Sequence, residues 1–279
     1  MVVDVDWERF FDRVNHDILM DRLSKRIQDQ AVLRLIRRYL QAGILLHGVA
    51  QERFEGTPQG GPLSPLLSNV LLDEVDQPLE RRGHKFVRYA DDCNVYVKSH
   101  RAGQRVLASL KRCYAKLRLK INPAKTAVAA VWGRKFLGYC LWATSKGEAR
   151  FAVAKEAVHR YKHRIRALTR RQTGRSLAQI ALALQRYMPG WKAYFPLAHM
   201  PRVWRSLDEW LRHRLRAIHL KHGQRGTTAF RELRALGADV DTAASIASGL
   251  RRWWYSSALS LNRILTMAYF DKLGVPKLC

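Results

Sequence analysis

Hydrophobic and polar residues follow a mixed strand and helix pattern over the first part of the chain. The apolar run Val2–Val5 predicts a short strand. Apolar residues at helical spacing predict helices over about 16–27 and 30–42, and Asn15 is a suitable N-cap for the first of them. The alternating stretch 43–55, which glycines bound, predicts a hairpin.

A loop follows, and after it the pattern alternates again between helix and strand. The segment TPQGGPLSP (57–65) predicts the loop, because proline-flanked turns surround two glycines. The next residues predict a helix over 66–79, strands over 84–89 and 93–98 on either side of the turn Ala90–Asp92, a helix over 101–118, and strands over 126–131 and 136–141.

From about residue 152 onward the strand pattern stops and only helical spacing remains. Helices are predicted over about 155–171, 176–194 and 200–222, with shorter ones after 227. We therefore predict an α+β protein with two domains, an antiparallel sheet with packed helices over 1–150 and an all-helical domain over 151–279.

The net charge is the feature of the composition that says most about possible partners. Lys and Arg number 50 against 23 Asp and Glu, a net charge of +27, and 47% of the residues are hydrophobic, which is enough for a real core. Residues 1–150 carry a net charge of +10 and residues 151–279 carry +17. Such an excess predicts a polyanionic partner. Nucleic acid is favoured over a membrane surface, because no single amphipathic anchor stands out.

The chain also lacks the signals of export, membrane insertion and a zinc site. No apolar run approaches the roughly 18 residues of a membrane span, and the first residues carry acids where a secretory signal carries bases. We expect no membrane partner and a cytoplasmic location in a bacterium. The cysteines form no C-x-x-C pair, so free thiols are expected rather than a zinc site or disulfides.

Carboxylates at the ends of predicted strands are the main candidates for chemistry. Asp6 follows the first strand, and the adjacent pair Asp91–Asp92 occupies the tip of the later hairpin. If the two strands are neighbours, these oxygens converge, and they are the ligands that Mg²⁺ prefers. Two Mg²⁺ ions roughly 3.5–4 Å apart could then support phosphoryl transfer. A solvated turn would also explain Asp91–Asp92 alone, and Asp4 is interpreted as a surface acid.

Five blocks in order resemble reverse transcriptases of the group II intron maturase kind. One block ends in the YADD box, and another is the loop-helix segment GTPQGGPLSPLLSN. The five blocks are Val3–His16, Gly56–Asn69, Phe86–Asp92, Leu119–Thr126 and Lys135–Tyr139. Two later stretches, Ala178–Phe195 and Arg251–Leu278, are similar to the maturase-specific thumb of that family. The resemblance implies a right-hand polymerase palm over 1–150, followed by a helical RNA-binding thumb over 151–279.

The resemblance also implies roles for individual residues. Asp6 and Asp91 would be the main ligands of two Mg²⁺ ions, with Asp92 assisting. Phe11 would exclude a 2′-hydroxyl, and Gln59 and Lys125 would contact the incoming nucleotide. Each of these three also has a simpler explanation, respectively a core aromatic, a turn residue and a solvated lysine. The primer grip would be formed by Phe136, Leu137 and Gly138, although an edge hairpin needs no function.

The implied activity is RNA-directed DNA synthesis combined with intron RNA binding that aids splicing and mobility. The implied partners are an RNA template, intron RNA, a DNA primer and deoxynucleoside triphosphates. The family's fingers segment precedes the first block, so we expect this chain to lack it and to need it from elsewhere. Two alternatives stay open: a non-polymerising RNA-binding maturase, and a truncated, inactive fragment. An RNA-templated RNA polymerase is disfavoured by Phe11.

Overall fold

The chain folds into two compact units, Met1–Phe136 and Leu137–Cys279. The computed structural model describes residues 1–46, 49–51, 53–58, 60–170, 174–222, 225–250, 253–257 and 261–279. The predicted α+β class is confirmed, since the first unit combines helices with antiparallel strands and the second is mostly helical. Within these described ranges, no helix combines the length and the apolar character needed to cross a membrane.

The helices and strands follow the predicted order closely. The strands are β1 (Val2–Val5), β2 (Ile44–Leu46), β3 (Val49–Gln51), β4 (Lys85–Tyr89), β5 (Asp92–Tyr96), β6 (Ala127–Ala129), β7 (Lys135–Phe136), β8 (Tyr139–Ala143) and β9 (Ala149–Val153). The helices of the first unit are α1 (His16–Ser24), α2 (Gln30–Gln41), α3 (Ser64–Arg81) and α4 (His100–Lys116). The helices of the second unit are α5 (Lys155–Leu168), α6 (Leu177–Tyr194), α7 (Pro201–His222), α8 (Gly226–Ala235), α9 (Val240–Ser248), α10 (Trp253–Ser256), α11 (Leu261–Ile264) and α12 (Met267–Lys272).

The first unit is built on a four-stranded antiparallel sheet in the order β4-β5-β1-β6. The apolar side chains of β1 are at most 1% exposed. Strand β1 is therefore a central strand with hydrogen-bonded neighbours on both edges. The register pairs Val5 with Cys93 of β5 and Asp4 with Ala127 of β6. This pairing aims the end of β1 at the β4–β5 hairpin.

Local sequence signals explain where the helices of the first unit begin. Asn15 caps α1 as predicted, because its side chain accepts a hydrogen bond of 3.0 Å from the Ile18 amide. Helix α3 begins at Ser64, inside the segment predicted to be loop. Pro65 is compatible with this start, because a residue in the first helical turn does not need its backbone N–H for an intrahelical bond.

The second unit contains a strand that the sequence pattern did not predict. Strand β9 pairs with β8 in an antiparallel hairpin, with Leu141 opposite Phe151. Its five residues run almost directly into α5, so the apolar positions merge with the helical pattern that follows. The domain boundary predicted near residue 150 rested on this apparent loss of strands, whereas the two compact units divide between Phe136 and Leu137.

A buried ion pair holds the last residues of the chain against α7. Arg212, which is fully buried, lies 3.2 Å from the Asp208 carboxylate, one helical turn away. Asp208 also accepts hydrogen bonds from the backbone amides of Leu278 and Cys279, and Arg212 donates to the Pro276 carbonyl. Both charged side chains are buried and hydrogen-bonded to the end of the chain. Removing one of them would leave the other charge buried without its partner.

Breaking this pair should destabilise the second unit strongly. We expect Asp208→Ala to lower the free energy of unfolding by about 3–5 kcal/mol, because it leaves the Arg212 charge buried without its partner. Urea unfolding monitored by circular dichroism measures the change. The exposed pair between Lys277 and Asp271 provides the control, and Asp271→Ala should cost about 1 kcal/mol or less. Equal losses for both variants would contradict the stabilising role of the buried pair.

Candidate active site

The sheet register brings the acid after β1 next to the acids of the β4–β5 hairpin. Val5 pairs with Cys93, so Asp6 and Asp92 are the next residues along two adjacent strands. Asp92 pairs with Tyr89 and is the first residue of β5, although the sequence pattern assigned it to the turn. The turn itself consists of Ala90 and Asp91. The three carboxylate residues therefore share one edge of the sheet.

The basic side chains near this edge compensate its carboxylates only in part. Partial burial, followed by the negative charges of Asp91, Asp4 and Asp6, raises the pKa of Asp92 above its usual value. Burial likewise raises the pKa of Asp4, while Arg134 opposes that shift through an ion pair of 3.1 Å. Asp4 was interpreted as a surface acid, but it belongs to the same charged cluster as Asp6 and Asp92.

The donor chemistry of the cluster fits Mg²⁺, but the metal geometry is not assembled. Among the described residues, no group of three or more His, Cys, Asp or Glu side chains is arranged to hold a metal ion. Carboxylate oxygens are hard ligands that suit Mg²⁺, which usually takes one or two protein carboxylates and completes its shell with water and substrate phosphates. Burial is the main cause of the raised pKa of Asp92 and the neighbouring acids add to it, so a cation here would offset only the second of these effects.

Asp6 is fixed by its backbone, and the same contacts bring Lys125 to it. The Asp6 amide donates to the Thr126 hydroxyl at 3.1 Å, and the Asp6 carbonyl accepts from the Asn122 amide at 2.9 Å. The loop between these two partners carries Lys125, whose Nζ lies 3.7 Å from the Asp6 carboxylate. The structure thus brings together Lys125 and Asp6, two residues that the sequence analysis had assigned to nucleotide and metal binding.

Phe11 lies close to the loop that resembles the family's nucleotide site. Its ring packs edge-on against Phe10, which is buried in the core, and Phe11 itself is partly exposed. The Phe11 carbonyl accepts from the Thr57 amide at 2.6 Å. Gly56 permits this approach, because a Cβ at Gly56 would come within 2.8 Å of the same carbonyl. The loop is therefore held directly against the segment that carries Phe11.

The remaining predicted residue of this loop, Gln59, lies outside the described residues. Among the described residues of the loop, the Pro58 carbonyl accepts from the Gly61 amide at 3.1 Å and from the Ser64 hydroxyl at 2.6 Å. These bonds tie the loop to the start of α3.

The residues assigned to a primer grip occupy the turn that follows β7. Phe136 ends β7 and is partly exposed, while Leu137 and Gly138 both have positive φ values, 50° and 79°. Two successive residues of this kind define the turn type that matches the twist of a hairpin. The Tyr194 hydroxyl donates to the Leu137 carbonyl at 3.2 Å. This bond fixes the left-handed conformation of a residue that is not glycine.

A network of contacts around Arg88, which the sequence did not predict, supports the acidic hairpin. Arg88 of β4 forms a half-buried ion pair with Asp76 of α3 and donates to the Asn69 side chain at 2.8 Å. The same guanidinium donates to the Ala90 carbonyl at 3.1 Å. Ala90 has φ of 52°, a conformation that costs a non-glycine residue about 1–2 kcal/mol. Arg88 therefore holds the strained turn that carries Asp91.

The β5 thiol next to the acids is unsuited to chemistry. Cys93 is buried, and its burial raises the pKa of the thiol to about 12. All four cysteines are free in the structure. Among the described residues, carboxylates together with Lys125, Arg134 and Lys135 are the charged groups that act at this edge.

Comparison with known proteins identifies the class of this fold and site. The family model for reverse transcriptase (RNA-dependent DNA polymerase) matches residues 1–141, which is half of the chain. The chain belongs to the reverse transcriptase family. The model for the maturase-specific domain of group II introns matches residues 158–237, and this places the chain with the group II intron reverse transcriptases and maturases.

The similar curated proteins agree with this assignment. Protein YkfC of Escherichia coli is 32% identical over 178 residues, 50% of this chain and 46% of that protein. The group II intron-encoded protein LtrA of Lactococcus lactis is 31% identical over 121 residues, 43% of this chain and 20% of that protein. The chain thus spans less than half the length of these relatives. Among solved structures, apo telomerase of Candida tropicalis is similar over 100% of this chain and 54% of the telomerase chain. The TM-score is 0.44 and the sequence identity is 12%.

The like-charge cluster generates a prediction about Asp92. We expect Asp92→Asn to raise the melting temperature at neutral pH without divalent metal, because it removes a negative charge that is partly buried and that Asp91, Asp4 and Asp6 repel. Since the pKa of Asp92 is raised, this gain should disappear as the pH falls below the usual value of 3.8, where the carboxyl is protonated in both folded and unfolded states. Glu148→Gln, at an exposed ion pair, serves as the control and should show no such gain.

The strained turn generates a second prediction. Ala90→Gly should stabilise the chain by up to about 1 kcal/mol, because glycine adopts positive φ without steric cost and only part of the gain is lost to the flexibility of the unfolded chain. Ala108→Gly, at an exposed position inside α4, should instead destabilise it by about 1 kcal/mol. Chemical denaturation of both variants tests the difference, and the same sign for both would argue against strain at Ala90.

Proposed function

We propose that this chain acts as an RNA-directed DNA polymerase of the group II intron type. It adds deoxynucleotides to a DNA primer on an RNA template and binds intron RNA to aid splicing and mobility. The observation that carries the proposal is the placement of Asp6 beside Asp92, with Asp91 in the adjoining turn, at the edge of a sheet in a reverse transcriptase chain. The chain spans less than half the length of the curated relatives that it matches, so the activity of the whole protein is part of this proposal.

In this proposal Asp6, Asp91 and Asp92 hold two Mg²⁺ ions together with the phosphates of the incoming nucleotide. When bound, Mg²⁺ would favour ionisation of the primer 3′-hydroxyl and neutralise charge on the reacting phosphate. Asp6 supplies an oxygen from a fixed backbone position, since Thr126 and Asn122 hold its amide and carbonyl. A rigid ligand of this kind reduces the reorganisation needed in the transition state.

Other residues of the first unit would position the substrates. Lys125, which is exposed, would leave the Asp6 carboxylate and neutralise the pyrophosphate that departs. Phe11 would crowd a 2′-hydroxyl and so favour deoxynucleotides, and Gln59 would contact the nucleotide or the template. The turn Phe136, Leu137 and Gly138 would hold the primer strand. These roles follow the resemblance at each position.

The second unit would supply the affinity for RNA. Residues 151–279 carry a net charge of +17, and α5 contains the basic run HRYKHRIR (159–166). Lys162, Arg166 and Arg214 approach the Trp210 ring to within 5.4–5.7 Å of its centroid. Cations gathered around an aromatic ring suit a structured RNA, which offers phosphates and unstacked bases.

Primer extension on an RNA template with Mg²⁺ tests the polymerase proposal. We expect extension with deoxynucleotides, and we expect Asp91→Ala to reduce the rate by at least about 100-fold, because the change removes a ligand for the metal. The matched control is Asp73→Ala, which removes an exposed carboxylate of α3 away from the sheet edge and should extend at the normal rate. Calorimetric titration with Mn²⁺ measures metal binding separately, and Asp91→Ala should weaken it.

A non-polymerising RNA-binding maturase is the second candidate. It is favoured by one observation, namely that the described residues present no assembled group of three metal ligands. Tight binding of intron RNA without extension, and without Mn²⁺ binding at the sheet edge, would establish this function instead. Extension with ribonucleotides as fast as with deoxynucleotides would contradict the role of Phe11 and indicate an RNA polymerase.

A further inference from the structure

A groove within the second unit, between α5 and α6 and next to the turn at Leu137 and Gly138, has features of a binding site. Its cavity has a volume of about 480 Å³ and lies within the range of roughly 300–1,000 Å³ that is typical of ligand sites. All of its lining residues belong to Leu137–Cys279. They are Leu137, Gly138, Ala157, Arg160, Arg164, Tyr187, Trp191, Tyr194 and Phe195.

One wall of the groove is a row of aromatic side chains on α6. Tyr187 and Trp191 are one helical turn apart, and Tyr194 follows in the next turn, so the three share one helix face. Trp191 packs against buried Tyr161 with ring centroids 4.3 Å apart and against buried Trp204 at 5.7 Å. This packing holds the indole in place before any ligand binds. The wall is therefore a preorganised stacking surface.

The opposite wall is a row of cations on α5. Arg160 and Arg164 are exposed and one turn apart, so both guanidinium groups extend along the same face. Glu156, the single acidic residue in the sequence of α5, does not line the groove. Burial raises the pKa of Tyr187, and the positive charge of Arg164 opposes that rise. Arg164 therefore acts electrostatically on a residue of the aromatic wall. An anion with an aromatic part would satisfy both walls.

One end of the groove is closed by the turn at Leu137 and Gly138. The Tyr194 hydroxyl donates to the Leu137 carbonyl, and the Tyr139 hydroxyl donates to the Tyr194 carbonyl at 2.8 Å. Gly138 packs so closely that a Cβ there would lie 3.3 Å from the Phe195 ring. These contacts give the groove a fixed end as well as two fixed walls.

We propose that this groove binds an unpaired nucleotide of a single-stranded nucleic acid. The base stacks on Tyr187 and Trp191, and the flanking phosphates pair with Arg160 and Arg164. Stacking on aromatic rings beside a cationic track is the way in which proteins hold single strands without reading their sequence. The stacking and phosphate contacts need no metal or triphosphate, and their residues, on α5 and α6, are not among those assigned to the polymerase reaction. The turn at Leu137 and Gly138, which is assigned to the primer, only closes one end of the groove.

Photocrosslinking with the full chain tests the position of the base. The probes are a 12-nucleotide RNA that contains 5-iodouridine and the DNA of the same sequence that contains 5-iododeoxyuridine, both without Mg²⁺ or nucleotides. Peptide mapping should place the crosslinks at Tyr187, Trp191 or Tyr194. The stronger of the two probes identifies the preferred sugar. Crosslinks confined to exposed rings elsewhere, such as Trp132, would overturn the proposal.

Binding of the same oligonucleotides, measured by fluorescence anisotropy over a range of salt concentrations, tests the phosphate contacts. Arg160→Gln with Arg164→Gln should reduce the slope of log affinity against log salt by about 1.4, the value expected for two lost contacts to a single strand. The matched control, Arg186→Gln with Arg205→Gln, removes the same charge from exposed positions of α6 and α7 outside the groove. Equal effects of the two double variants would overturn the proposal.

Tyr187→Leu separates stacking from charge. It should weaken binding about tenfold and leave the salt slope unchanged, since it removes a stacking surface and no cation. Thermal unfolding of the variant checks that the core around Tyr161 is intact. If Tyr187→Leu does not fold, the exposed arginine variants still decide the matter. A folded Tyr187→Leu protein with normal affinity would contradict the proposal.

Discussion

The double pairing of β1 is the constraint on which the candidate site depends. Because β1 is bonded on one edge to β5 and on the other to β6, its last residue cannot shift without breaking two ladders. The segment after it continues to pair, as Trp7 bridges to Ile121. Asp6 therefore leaves the sheet at a fixed place, and the Asn122–Thr126 loop is carried to that place with it. Strand β1 therefore provides a rigid support for the carboxylate that the proposed chemistry requires.

The local elements were predictable where one short segment contains the whole signal. Strand β1 and the cap at Asn15 need only a few neighbouring residues, and both were predicted at the observed positions. Strand β9 was missed because its pattern merges with the helix that follows. The pairing of Asp4 with Arg134 joins residues 130 positions apart, and no local pattern contains that information.

The placement of the candidate site shows the same division between local and distant information. The acids were found from sequence because adjacent carboxylates in a turn are costly and because the ordered blocks resemble a known family. The sequence did not predict that Arg88 supports the turn of these acids, because Arg88 is held by Asp76 and Asn69, which lie on α3. Alternation along β4 indicates which face Arg88 occupies but not which helix lies there. Positioning residues of this kind become visible only in the folded chain.

The difference in environment among the free cysteines has a practical consequence for labelling. Cys93 is buried beside the acidic edge, and its thiol stays protonated at neutral pH, so alkylating reagents should leave it unmodified. Cys279 is exposed, and its backbone is anchored through Asp208. With the partly exposed Cys113 and Cys140 replaced by serine, a maleimide dye would thus react at Cys279, at an end of the second unit that is anchored through Asp208. It would report the orientation of that unit by fluorescence without disturbing the sheet.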